Sequence, residues 1–244
     1  MAIKQQFRVA SMTVRGLAIA LTCTFASGCA SQTPAAEPSG KAATKAQAPA
    51  TPRPAYAAAD AAYYRARASA LATEAMDEVA RTDFWRFRRG RLYVPDASNI
   101  LELEERLADA SRSQSAAGVV DASSAILASD QADINAHTLR ALALRTTDHL
   151  AEADFHRSVA QSLINSIVHA GDGRSSKSAW TAYRVKEEYE VLKSLNARFI
   201  SQSAITEADR TFDVLDAESV ADGTKLRFYF DISELSAETR RAVH

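Results

Sequence analysis

From Tyr56 onward apolar residues recur at helical spacing. Tyr64, Ala68, Leu71, Ala75 and Val79 follow one another at three- and four-residue steps with no Gly or Pro between them, which predicts one amphipathic helix over residues 56–82. A second helix is expected from Asn99, whose side chain can cap it while Glu102 reaches back, and it buries Ile100, Leu103 and Leu107. Val119, Ser123, Ile126 and Leu127 mark a third, and Leu139, Leu142 and Ala143 a fourth. Phe155, Val159, Leu163 and Ile167 define a long fifth over about residues 150–170. Short polar links between such helices imply antiparallel neighbours.

The third to fifth helices resemble a degenerate tetratricopeptide-like stretch, with Ala136, Ala143 and Ala153 where helices would cross. No clean second copy of that period follows, so a repeat array is not expected. One helical unit cannot bury its own apolar face, and the cover is expected further along the chain. There the period changes to two. Leu226, Phe228, Phe230 and Ile232 alternate with Arg227, Tyr229 and Asp231, the pattern of a half-buried strand. Asp222-Gly223 suits a tight hairpin turn back to a strand at 211–215. Residues 199–205 are a third strand candidate and 179–185 a weaker fourth, with 186–195 (KEEYEVLKSL) a short helix burying Tyr189 and Leu192. The expected fold is α+β: antiparallel helices with the tetratricopeptide-like part, then a small antiparallel sheet of three or four strands. It forms one domain over residues 56–244, helical at 56–170 and sheet-rich at 171–233.

The first residues read as an export signal over 1–28. Lys4, Arg8 and Arg15 precede the apolar run GLAIALTCTF at 16–25, which is too short to span a bilayer, and Ala26-Ser27-Gly28-Cys29 closes it. That closing tetrapeptide resembles the bacterial lipobox, in which the cysteine is acylated and becomes the new N-terminus. Ala26 departs from the Leu usual there, and an ordinary secretory cleavage is the competing reading. Cys23 would leave with the signal and Cys29 would carry lipid, so no free thiol would remain in an oxidising compartment. Neither Ala30 nor Ser31 is the Asp linked to inner-membrane retention, so the resemblance implies an outer-membrane anchor facing the periplasm, with the membrane as partner through that lipid. Residues 29–55 would be the lipidated Cys and a disordered Pro/Ala-rich tether, because 30–55 hold five of the six prolines and no large apolar residue. Loss of the signal removes three positive charges and no acid, taking the net from −1 to −4, which gives nucleic-acid binding no electrostatic support.

Candidate chemistry centres on GDGRSSKSAW, residues 171–180. A phosphate-binding loop needs glycines that follow a strand and open a helix, whereas these follow a helix, and the alternate acids of a calcium hand are missing after Asp172. Gly171 is therefore expected to end the fifth helix in the left-handed conformation, with His169 in the last turn facing the negative end of the helix dipole. Asp172 is expected to close the turn on amides or hydroxyls such as those of Ser175 or Ser176, with Gly173 in the same turn. Ser175, Ser176 and Ser178 beside Lys177 read as turn formers more readily than as a Ser–Lys nucleophile and base. Glu187 and Glu188 with Asp172 supply carboxylates suited to sugar hydrolysis, or else partners of a helix dipole. In FWRFRRGRLY, residues 84–93, Arg86, Arg88, Arg89 and Arg91 interleave with Phe84, Trp85, Phe87 and Tyr93. These arginines can meet an anionic partner such as lipid head groups or cell-wall acids, or stay solvated while the aromatics dock the first helix. His156, beside an apolar stripe, reads as structural, and its spacing from Asp154 suits no metal. No metal site and no cofactor are expected.

Residues 154–196 (DFHRSVAQSLINSIVHAGDGRSSKSAWTAYRVKEEYEVLKSLN), with YFDI ending at Ile232, resemble the uncharacterised bacterial family of domain of unknown function 4919. Its pattern is a long helix, S-G-D-G, a serine or threonine, a strand-like T-A-[FY]-x-V and an acidic E-Y-x-x-L. Asp172, Gly173, Thr181, Tyr183, Val185, Glu188, Tyr189 and Leu192 match, and Ala170 departs where serine is common. The likeness covers roughly residues 84–232 and implies architecture, bringing no substrate, cofactor or catalytic residue. The expected role is an anchored lipoprotein of unknown activity that binds an envelope protein or cell-wall component without turnover. The alternative is a cell-envelope hydrolase using the acids near the GDG loop.

Overall fold

The computed structural model describes residues 52–242, so the expected signal, Cys29 and nearly all of the expected tether lie outside the described residues. Helices come first: α1 (Ala57–Leu71), α2 (Met76–Ala80), α3 (Phe84–Leu92), α4 (Ile100–Arg112), α5 (Ala116–Ser129), α6 (Ile134–Thr146) and α7 (Leu150–Val168). A single 3₁₀ turn (Ser176–Ser178) leads to β1 (Trp180–Thr181), α8 (Val185–Ser194), β2 (Ala197–Glu207), β3 (Arg210–Ser219), β4 (Lys225–Asp231) and α9 (Ser233–Ala242). The fold is α+β. Among the described residues no helix is long and apolar enough to cross a membrane.

The helix expected over 56–82 is broken. α1 stops at Leu71, Glu74 takes φ +55°, and the chain restarts at α2. No Gly or Pro causes this; the cause is tertiary. Arg67 on α1 donates to the Glu78 carbonyl (2.8 Å), to Glu78 Oε2 (2.7 Å) and to Thr82 Oγ1 (3.0 Å), which folds α2 back beside α1. The arginine-rich stretch forms α3, buries Phe84 and Phe87, and lies so close to α1 that a Cβ on Gly90 would sit 2.1 Å from the Asp60 carbonyl oxygen. Only glycine permits that crossing.

α4, α5 and α7 bury the residues their periodicity predicts: Ile100, Leu103 and Leu107; Val119, Ser123, Ile126 and Leu127; Phe155, Val159, Leu163 and Ile167. The Asn99 capping box does not form, and the side-chain caps are Asp83, Ser115 and Asp133, each accepting from the amide three residues on. On α6, Leu142 is 45% exposed, and the buried set is Ile134, Ala136, His137, Ala141, Ala143 and Leu144. That helix lies between α5 and α7, so it buries two narrow faces lined by small residues. Ala136, Ala143 and Ala153 are all buried.

The four-stranded sheet runs β1-β4-β3-β2. β2–β3 and β3–β4 are antiparallel, but β1 pairs parallel to β4, Trp180 beside Phe230, which makes the sheet mixed. The connection after β1 passes through α8 and the β2–β3 hairpin before β4 returns beside it, and such a crossover delivers parallel strands. The β3–β4 loop carries Gly223 at φ +72° and Asp222 Oδ1 accepting from the Thr224 amide (3.1 Å). On α8, Leu192 is buried as expected, whereas Tyr189 is only half-buried and Glu187, Glu188 and Val191 lie inside. One core joins Leu71, Phe87 and the α7 stripe to Leu215, Ala217, Phe228 and Phe230, and a second fills the space among α4, α5 and α6.

Candidate functional site

The residues singled out by sequence part company in three dimensions. Gly171 does not take a left-handed conformation; Gly173 does, at φ +69°. α7 ends on His169 with right-handed angles, and Gly171 is required for another reason, since a Cβ there would fall 2.3 Å from the Ser178 carbonyl oxygen. The Gly171 carbonyl accepts from Trp180 Nε1 (2.8 Å), and the Gly173 carbonyl accepts from the Tyr229 amide (2.8 Å), so the loop seats Trp180 and ties itself to β4. Asp172 Oδ1 accepts from Ser178 Oγ (2.6 Å) and the Arg174 amide (2.9 Å), in place of Ser175 or Ser176, and these bonds hold its carboxyl below the ordinary range.

Glu187 is buried and bidentate with the fully buried Arg88 (Nε–Oε1 2.9 Å, Nη2–Oε2 2.7 Å), and its Oε2 also accepts from the Tyr183 amide (2.9 Å). Arg88 donates further to the Thr181 carbonyl (2.7 Å), so this pair clamps α3 to β1 and α8. Glu188 turns to a different neighbour. Burial, then the Asp213 carboxyl beside it, raises its pKa to about 9, and Gln202 Nε2 bridges the two acids. Asp172 serves its own loop, Glu187 serves Arg88, and Glu188 faces Asp213, so the three acids form no common cleft.

The arginines of α3 are likewise not a surface patch. Arg86 and Arg89 both bind Asp60 (2.7 Å each), and Arg91 pairs with Asp96 and lies 3.0 Å from Asp130. Arg89 also stacks 4.2 Å over both Tyr56 and Trp85. The expectation that these side chains stay solvated fails for Arg88, Arg89 and Arg91, because buried acids from α1, the α5–α6 link and α8 require cations, while Arg86 keeps 39% of its side chain exposed. Asp130, fully buried, also meets Arg184 and Lys186 (3.6 Å). Burial alone would raise its carboxyl, yet Arg184, Arg91 and Lys186 outweigh this and hold it far below the ordinary range.

The arrangement with open access lies elsewhere, where the α1–α2 turn meets α5, α6 and α7. A cavity of about 200 Å³ is walled there by Leu71, Ala72, Leu127 and Ala128, with Glu74, Ser124, Gln131, Arg140 and His156 as its polar lining. Behind it His156 Nδ1 lies 2.8 Å from His137 Nδ1, and His137 Nε2 lies 3.2 Å from the Gln131 carbonyl oxygen. A carbonyl only accepts, so His137 carries its proton on Nε2 and accepts at Nδ1. His156 then carries its proton on Nδ1, which leaves its Nε2 to accept from Arg140 Nε–H (2.7 Å). The chain Arg140 to His156 to His137 to Gln131 runs in one direction and needs both rings neutral. Burial lowers His137 to about 4 and, with His137 and Arg140 alongside, His156 to about 3. Arg140 Nη1 is held by the Val120 carbonyl (3.0 Å) and by Ser124 Oγ, and Nη2 lies 3.5 Å from Glu74 Oε1. Glu74 Oε1 also approaches His156 Nε2 (3.3 Å), but a neutral ring with that nitrogen engaged by Arg140 has no proton to offer it.

His156 was visible in the sequence only as a lone histidine. His137, Arg140 and Glu74 escaped notice because they come from other helices, although His137 and Arg140 do share one face of α6 at a three-residue spacing. Among the described residues no group of three or more His, Cys, Asp or Glu side chains is placed to hold a metal.

A family model described as "Domain of unknown function (DUF4919)" matches residues 93–241, more than half of the chain, and the chain belongs to that family. The match covers α4 through most of α9 and includes Ser124, Gln131, His137, Arg140 and His156, while Glu74 precedes it. No curated protein and no solved structure matches the chain.

Proposed function

We propose that this member of the family of domain of unknown function 4919 is a lipoprotein anchored to the outer membrane and facing the periplasm. Its folded part would bind an envelope protein or a cell-wall component without turnover. One observation carries the non-catalytic reading: the histidine at the open cavity has its Nε2 lone pair engaged by Arg140 Nε–H at 2.7 Å, so it offers no free base. The acids invoked for a hydrolase are engaged in separate internal contacts, and Glu188 holds its proton through neutral pH. The anchoring rests on the sequence, through the signal and Cys29.

Cys29→Ser is expected to release the protein into the soluble periplasm, because acyl chains would be its strong apolar attachment. Fractionation with metabolic palmitate labelling measures this, and unchanged membrane association would overturn the lipoprotein reading. Crosslinking in intact envelopes is expected to capture a partner on the folded part. Turnover of cell-wall fragments by the purified wild-type chain would instead establish the hydrolase.

A further inference from the structure

Resting on the binding-module reading and deepening it, we propose that the cavity between the α1–α2 turn and helices α5, α6 and α7 takes a small zwitterion, an amino acid of about alanine size, its ammonium on Glu74 and its carboxylate on Arg140. The charges in the cavity select this class. With both histidine rings neutral, the lining presents one carboxylate and one guanidinium, from Glu74 and Arg140. A simple anion drawn to Arg140 meets Glu74 beside it, and a simple cation drawn to Glu74 meets Arg140. A zwitterion satisfies both.

The Glu74–Arg140 contact is also loose enough to open. At 3.5 Å it is longer than any bond Arg140 makes to His156, Val120 or Ser124, and among the described residues the Glu74 side chain makes its contacts through Oε1. Those other bonds fix the guanidinium in place while Nη2 faces Glu74, which is the preorganisation that makes recognition of a carboxylate by arginine favourable. Glu74 is held at φ +55°, a conformation that costs free energy for a residue with a Cβ, and such strain is retained where the surroundings demand it. Leu71, Ala72, Leu127 and Ala128 offer an apolar wall for a short side chain. About 200 Å³ is the space of roughly six or seven waters at about 30 Å³ each, which accommodates an alanine-sized molecule.

The test is titration calorimetry and thermal melting of the full chain purified in detergent, with L-alanine, D-alanine and glycine set against propionate and ethylammonium. One or more of the amino acids is expected to raise the melting temperature at millimolar concentration or below, and the two singly charged analogues are not. Glu74→Gln, an isosteric change at a half-buried turn position, is expected to weaken alanine binding at least tenfold while the melt without ligand stays close to wild type. Ala128→Leu adds bulk at the cavity's exposed rim while leaving both charges in place, and is expected to weaken alanine binding at least tenfold. The proposal falls if no amino acid binds, if propionate binds as well as alanine, or if both variants bind as wild type does. Absence of amino-acid binding with envelope crosslinking intact overturns the cavity assignment alone, whereas consumption of the bound amino acid overturns the non-catalytic reading beneath it.

Discussion

Glu188 is the residue whose environment departs furthest from what its neighbours in sequence imply. It opens α8 beside Glu187, yet Glu187 meets a buried guanidinium and Glu188 meets another acid. Its folded-state value is raised from 4.5 to about 9 by burial first and Asp213 second, so the folded chain keeps a proton that the unfolded chain releases. The stabilisation this proton carries is complete below about pH 4.5 and is lost as pH rises through about 9. Glu188→Gln keeps a donor for Asp213 and removes the ionisation. The variant should gain on the order of 1–3 kcal/mol over wild type at pH 8.5, with the gap closing toward pH 5. Denaturant titrations at the two pH values measure it, and a gap that ignores pH would show that Glu188 is not held protonated. The histidine pair is opposite in sign: its lowered values favour the fold above about pH 6.5 and weaken it as pH falls toward 4. None of these neighbours could be paired from the sequence, because Glu188 and Asp213, or His137 and His156, stand on different elements.

At the scale of elements, periodicity is reliable where a segment packs on one side and fails where it packs on two or is bent by a distant contact. α4 and β4 present single faces, and their stripes are legible in the sequence. α6 is covered on both sides, so Leu142 was misassigned to the core. The β2–β3 hairpin turns on Ala208 and Asp209, at φ +47° and +65°, two consecutive left-handed residues of the kind a type I′ turn requires. Neither residue is the Asn or Gly that signals such a turn, which is why the tight connection was not anticipated. Ala208→Asn with Asp209→Gly should stabilise the protein by about 1 kcal/mol by relieving strain at both positions. Thermal melts of the double variant check this, and a lower melting temperature would contradict the turn assignment.

Over the whole molecule, buried ion pairs join the helical part to the sheet-bearing part. Asp130, in the α5–α6 link, is held by Arg91 on α3, by Arg184 before α8 and by Lys186 on α8. Removing its charge would leave three cations without their shared partner, so Asp130→Asn should cost about 3–5 kcal/mol. Chemical denaturation measures the loss, and a change within experimental error would mean that the cluster relaxes into solvent. The α+β order, the amphipathic faces of α4, α5 and α7 and the β3–β4 hairpin follow from local rules: a period of 3.6 or 2 and turn chemistry. The break after Leu71, the parallel pairing of β1, the burial of the three arginine-linked acids Asp60, Asp130 and Glu187, and the convergence of Glu74, Arg140 and His156 on one cavity do not. Each depends on groups 11 to 99 residues apart in the chain being brought within a few ångströms. A side chain's charge state and partner are then set by burial and by the field of those neighbours, and local pattern carries no record of either.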